Sequence, residues 1–167
     1  MTGLIIKNMN EYKKYQHVER FGSDETDGIE CGICYIFPKI DGTNAHIWHD
    51  GVNIHCGSRN RELSTDNDNA GFMNWVLGEE HLKGFAMVFQ DHHIYGEWLV
   101  PHSLKTYRDD AWRKFYIFDV VTPEGRHLPY EKWQPVAEAQ KCDYLAPLRI
   151  IKNQTYRTSS RFPLIYH

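Results

Sequence analysis

The dipeptide Asp50-Gly51, set between Asn44-Ala-His-Ile-Trp-His49 and Val52-Asn-Ile-His-Cys56, constrains the fold more than any other stretch of this chain. Glycine tolerates positive φ and aspartate bonds back to its own turn, so two strand-like runs joined by Asp-Gly read as a β-hairpin with a two-residue type I′ turn. That turn pairs His49 with Val52, Ile47 with Ile54 and Asn44 with Gly57, and continuing the count brings Arg59 near Gly42. Apolar runs at 31–37, 86–89, 94–100 and 115–121 read as further strands. Helices are expected over 12–21, from Asp68 through the spaced apolar residues Phe72, Met73, Val76 and Leu77, and over 130–141. The whole is an α+β pattern with a mainly antiparallel sheet and flanking helices.

A chain of 167 residues, 41% hydrophobic and 14% aromatic, can bury one ordinary core, so a single domain over 1–167 is expected. A net charge of -3 argues against a diffusely basic surface but leaves room for a local basic groove. The sequence has no apolar run long enough to span a bilayer and no leader-like start, so no membrane partner and a cytoplasmic address are expected. Cys31-Gly-Ile-Cys34 has the spacing of half a zinc site, but no second such pair follows and the two cysteines fall in a strand-like run. They are expected to be buried free thiols. Ten histidines occur, with His46 and His49 on opposite faces of one strand, and no metal site is expected among them.

The chemistry concentrates in Lys39-Ile-Asp-Gly-Thr-Asn44, where a lysine closes an apolar run and enters a tight turn with an acid, a glycine and an amide. Such a turn can hold a lysine at the rim of a pocket, though Asp-Gly after a charged strand end is also an ordinary surface turn. Three further segments follow in order: Ser58-Arg59, Tyr95-Gly-Glu97 and Phe115-Tyr-Ile-Phe-Asp-Val120. Glu97 is flanked on its own strand face by Tyr95 and Leu99, and alternation puts Phe115, Ile117 and Asp119 on one face with Tyr116, Phe118 and Val120 on the other.

These four segments, in this order, resemble the KxDG, arginine, hydrophobic-G-E and FxxFD motifs of ATP-dependent RNA ligases. Asn44 and the opening Lys14-Tyr15 with Glu19 resemble the phage-type RNA ligase 2 branch of the covalent nucleotidyltransferases. The resemblance implies a ligase adenylation (nucleotidyltransferase, ATP-grasp-like) domain that takes ATP and magnesium (Mg2+), transfers AMP to Lys39, and passes it to an RNA 5′-phosphate to seal RNA ends. A lysine amine is almost wholly protonated at neutral pH, with a pKa of about 10.4, so nearby cations would have to depress it. By the same resemblance Ile40, Asn44, Arg59, Glu97 and Phe115 would bind the nucleotide: Glu97 through the ribose hydroxyls, Phe115 by stacking on adenine. Asp41 and Phe118 are secondary candidates, Asp41 for orienting Lys39.

Beyond Asp119 the sequence holds no EG-hydrophobic motif and no lysine-rich KxK strand, both of which complete members of the family carry. The domain is therefore expected to be incomplete at its C-terminus, with a complementing C-terminal fragment as a possible partner, and the chain alone is expected to charge Lys39 poorly or not at all. Two other readings stay open: a catalytically inactive nucleotide- or RNA-binding remnant or split-ligase subunit, and a DNA ligase or capping-type nucleotidyltransferase.

Overall fold

The computed structural model describes residues 11–101 and 107–153. In chain order its elements are β1 (Gly32–Ile36), β2 (Thr43–His49), β3 (Ile54–Ser58), α1 (Phe72–Val76), α2 (Glu80–Val88), β4 (His93–Leu99), β5 (Lys114–Val121), α3 (Tyr130–Ala139) and β6 (Arg149–Asn153). The described residues fall into two compact units, one of residues 11–15, 40–101 and 107–145, the other of 16–39 and 146–153.

The first unit is built on a four-stranded antiparallel sheet of order β3-β2-β4-β5. One face is apolar and carries the helices. Ala45 and Ile47 from β2, Cys56 from β3, Ile94 and Trp98 from β4, and Phe115, Ile117 and Val120 from β5 share one core. Phe72 and Val76 of α1, Leu82, Phe85 and Ala86 of α2, and Trp133 and Ala137 of α3 belong to the same core. Alternation along each strand sends the other residues to the opposite face, which holds Asn44, His46, Trp48, His93, Tyr95 and Glu97.

The expected hairpin forms with a longer loop. His49 pairs with Ile54, Ile47 with Cys56 and Ala45 with Ser58, so four residues, 50–53, make the connection. The reason lies in the Asp50 carboxylate, whose Oδ1 accepts the amides of both Val52 (2.8 Å) and Asn53 (2.7 Å), while His49 Nδ1 accepts the amide of Gly51 at 3.0 Å. These bonds stabilise a wider loop in which Val52 stays exposed. His55, on β3, closes the same corner by bridging Asp50 (2.9 Å) and Glu62 (3.1 Å).

Two other expectations fail. The run 86–89 is not a strand: Ala86 to Val88 end α2, which buries Leu82, Phe85 and Ala86 one helical turn apart and leaves Met87 and Val88 exposed. No regular helix forms over 12–21, and the helical turn that follows is a 3-10 turn at Asp24–Thr26. The helix expected after Asp68 does form. Asp68 Oδ1 accepts the amide of Met73 (2.8 Å) and Oδ2 that of Asn74 (3.1 Å), the part of an N-terminal cap played from several residues upstream.

The second unit contains the antiparallel pair β1–β6, with Ile33 opposite Lys152, Tyr35 opposite Ile150 and Ile36 opposite Arg149. Cys31 and Cys34 are half-buried, not buried as expected, because this two-stranded sheet exposes Ile33, Ile36 and Ile150 as well. Cys56 and Cys142, in the first unit, are the buried thiols.

Candidate active site

The segment after Lys39 is held by backbone bonds that its sequence only half announces. Gly42 donates its amide to Glu97 Oε1 at 3.0 Å, and Asp41 donates its amide to the Tyr107 hydroxyl at 2.7 Å. A Cβ on Gly42 would meet the Trp98 carbonyl oxygen at 2.5 Å, Glu97 Cγ at 3.0 Å and Leu99 Cα at 3.1 Å. Only glycine lets the chain pass this close to β4. Ile40 and Asp41, like Gly42 and Asn44, are half-buried. Lys39 is exposed and ends the first stretch of the second unit, one peptide bond before Ile40 opens the main body of the first.

Asn44 and Glu97 are direct partners across β2 and β4, which puts their side chains next to each other on the face away from the helices. Arg59 follows Ser58, the partner of Ala45, so it sits at the Asn44 end of the β2–β3 pair, exposed at a turn closed by the Ser58 amide on the Arg61 carbonyl at 2.8 Å. The wider hairpin loop thus moves Arg59 from its expected position near Gly42 to the neighbourhood of Asn44. Even so, Asn44, Arg59 and Glu97 gather at one end of one sheet.

Phe115 and Asp119 do not share a face. Tyr95 pairs with Asp119 but Gly96 pairs with Ile117, so Phe118 is an extra residue in β5, a β-bulge. The bulge leaves Phe115 and Ile117 on the helix-covered face and turns Asp119 to the side of Tyr95 and Glu97. Phe115 is 1% exposed, 5.0 Å from the Phe72 ring, and it fills the space that a Cβ on Gly96 would need. Phe118 is half-buried and its ring meets Tyr15 edge-on at 5.2 Å. Tyr15 in turn packs on Tyr95 at 4.7 Å and donates its hydroxyl to Asp119 Oδ2 at 2.7 Å. Burial, with Asp119 beside it, pushes the Tyr15 pKa far up, so this phenol stays a donor. Asp119 Oδ2 also meets His127 Nδ1 at 2.5 Å.

Further along this face lies a layer of rings. His46 packs on Trp48 at 5.0 Å, on Tyr95 at 4.8 Å and on Tyr12 at 5.2 Å, and His93 lies 5.6 Å from His46. Both imidazoles are buried and their nitrogens have no hydrogen-bond partner among the described residues. Burial, then the neighbouring His93, lowers the His46 pKa to about 3, and burial, then Lys13 and His92, lowers that of His93 to about 4. Gly57 faces His46 directly, and any Cβ there would overlap the imidazole. No group of three or more His, Cys, Asp or Glu side chains among the described residues could hold a metal ion.

A family model for RNA ligase matches residues 33–161. This chain belongs to the RNA ligase family. Its fold is similar to that of Naegleria gruberi RNA ligase with PPi, at a TM-score of 0.61 and 15% identity over 77% of this chain and 40% of that one. A mutant of the same ligase with ATP and Mn aligns at 0.61 and 15% identity, over 77% and 38%, and another with AMP and Mn at 0.61 and 15%, over 77% and 40%. At such identity the likeness shows the fold, and the chain spans about two-fifths of the length of these ligases. A comparison with curated protein sequences gives no match. In this RNA ligase family member, no helix among the described residues is long and apolar enough to cross a membrane.

What sequence reasoning missed is Tyr107. It stands outside every motif, in the run Lys105-Thr-Tyr107-Arg, and only the tertiary fold brings its hydroxyl to the Asp41 amide.

Proposed function

We propose that this chain carries the nucleotidyl-transfer chemistry of an ATP-dependent RNA ligase of the phage-type RNA ligase 2 kind, with Lys39 as the group that takes AMP. The observation that carries this reading is the convergence of Gly42, Asn44 and Glu97: the turn after Lys39 is bonded to Glu97, and Asn44 is its cross-strand neighbour. Three residues from two separate motifs thereby form one polar corner of the sheet.

The chemistry follows from that corner. The neutral Lys39 amine attacks the α-phosphorus of ATP, a nitrogen–phosphorus bond forms, the bond to the bridging oxygen of the β-phosphate breaks, and pyrophosphate leaves. Asn44 and Glu97 offer an amide and a carboxylate to the nucleotide, Glu97 to the ribose hydroxyls, and Arg59 offers a planar donor fork suited to phosphate. For the base, Phe118 is the better placed of the two phenylalanines, since its ring is half-buried on the side of Tyr95 and Asp119 while Phe115 is enclosed in the core. Magnesium enters with ATP, bound to its phosphates. AMP then passes to an RNA 5′-phosphate, and attack by a 3′-hydroxyl seals the ends.

The chain alone charges Lys39 poorly in this reading, because its sequence holds no KxK strand to stabilise the transferring phosphoryl group. The test is to titrate the protein with ATP and with GTP in the presence of magnesium, then look by intact-mass spectrometry for one covalently bound AMP. Selective ATP binding and a slow adduct lost in Lys39→Ala are expected. Absence of ATP binding in the wild type overturns the reading. ATP binding with no adduct under any condition favours an inactive nucleotide-binding subunit, and preference for GTP favours a capping-type enzyme.

A further inference from the structure

We propose that Tyr107 is a positioning residue for the Lys39 turn, a role that rests on reading Lys39 as the AMP acceptor. Two consecutive amides that follow the lysine, those of Asp41 and Gly42, are each bound by a side chain from a distant part of the chain: Tyr107 at 2.7 Å and Glu97 at 3.0 Å. The two holds differ in kind. Glu97 is anchored in β4, in the middle of a hydrogen-bonded sheet, whereas Tyr107 sits in the connection between β4 and β5. Its ring is fixed by Trp112, which meets it edge-on at 5.2 Å and 83°.

A turn that carries a nucleophile has to hold it within about 0.5 Å and 10–20° of the productive geometry, and side-chain bonds to its amides are one means of doing so outside regular structure. The Asp41 amide belongs to the Ile40–Asp41 peptide and the Gly42 amide to the Asp41–Gly42 peptide, so the two bonds hold two successive peptide planes that share the Asp41 Cα. The Tyr107 hydroxyl therefore helps to fix the backbone two residues beyond Lys39, through the Asp41 amide.

The test compares Tyr107→Phe, which removes one oxygen and keeps the ring against Trp112, with Tyr144→Phe. Tyr144 also accepts a hydrogen bond through its hydroxyl, from Gln134 Nε2 at 2.8 Å, and stands outside the site. Amide hydrogen exchange without nucleotide is expected to speed up about tenfold in Tyr107→Phe at both Asp41 and Gly42, and at neither in Tyr144→Phe. Faster exchange at Asp41 alone, or at neither position, overturns the proposal, since a residue that merely satisfies one amide would leave Gly42 unmoved. The rate of AMP transfer to Lys39 at saturating ATP should fall in Tyr107→Phe by more than the ATP affinity does. Equal rates in the two variants overturn it as well. Because the exchange measurement needs no nucleotide, a wild type that fails to bind ATP would overturn the proposed function while the hold on the turn is still decided.

Discussion

The amide of Gly42 donates to Oε1 of Glu97 at 3.0 Å, so a carboxylate expected to serve a ligand also serves the backbone that follows Lys39. Replacing Gly42 with alanine would drive a methyl group into the Trp98 carbonyl and the Glu97 stem. Gly42→Ala is expected to cost about 1–3 kcal/mol of stability, the usual range for overpacking, and to abolish Lys39 charging in protein that is still folded. Urea denaturation and intact-mass spectrometry check the two halves of this statement.

The two phenylalanines of the FxxFD run should separate cleanly. Phe115→Ala opens a cavity against Phe72 and over Gly96, and should cost about 3–5 kcal/mol. Phe118→Ala should cost less stability but weaken ATP binding about tenfold, in line with the loss of one stacking platform. Calorimetric titration of ATP into each variant, at a temperature where both are folded, is the measurement. Unchanged affinity in Phe118→Ala would remove this ring from the nucleotide site.

Acid should loosen the ring layer. His46 and His93 titrate at 6.5 when unfolded but at about 3 and about 4 in the fold, so the unfolded state binds more protons below pH 6.5 and stability falls as pH drops from there towards 4. His55 acts in the opposite sense. Burial would lower its pKa, but its bonds to Asp50 and Glu62 outweigh that and raise it, so its stabilisation is complete below pH 6.5 and is lost as pH rises through the higher folded value. The drop between about pH 6.5 and pH 4.5 therefore belongs to the buried pair. Denaturant midpoints across this window should fall in the wild type and stay nearly level in a His46→Phe, His93→Phe double variant.

Asp68 should carry the start of α1. Burial works against its charge, but bonds from the amides of Met73, Asn74 and Asn69 lower its pKa overall, so its contribution is present above the ordinary carboxylate range and is lost as pH falls through the folded value. Asp68→Ala is expected to cost about 1 kcal/mol at neutral pH, typical of a lost cap. Thermal unfolding at neutral pH provides the comparison, and a variant as stable as the wild type would contradict it.

Much of this was legible from residue order. The strands around Asp50-Gly51, Tyr95-Gly-Glu97 and Phe115–Val120 follow from alternation, and α3 from its spacing. The hairpin's loop length was not, because Asp50 can accept two amides and so stabilise a wider turn than Asp-Gly alone suggests. α2 is not anticipated, and the run 86–89 at its end reads as a strand, because Ala86-Met-Val-Phe89 is apolar throughout and periodicity over four residues cannot tell a buried strand from the last turn of a helix. Tyr107 was invisible because its role depends on a contact 66 residues away in sequence.

The bulge at Phe118 bears on how this family's aromatic motif can be read at all. Four positions separate Phe115 from Asp119, an even count that in a regular ladder means the same side of the sheet, whereas here it spans the two sides. The spacing therefore encodes an interruption. A chain with the same letters paired in a regular, unbulged ladder would turn its acid inward among the helices, and one that lost a single position between them would match the motif less well yet keep the acid where it stands.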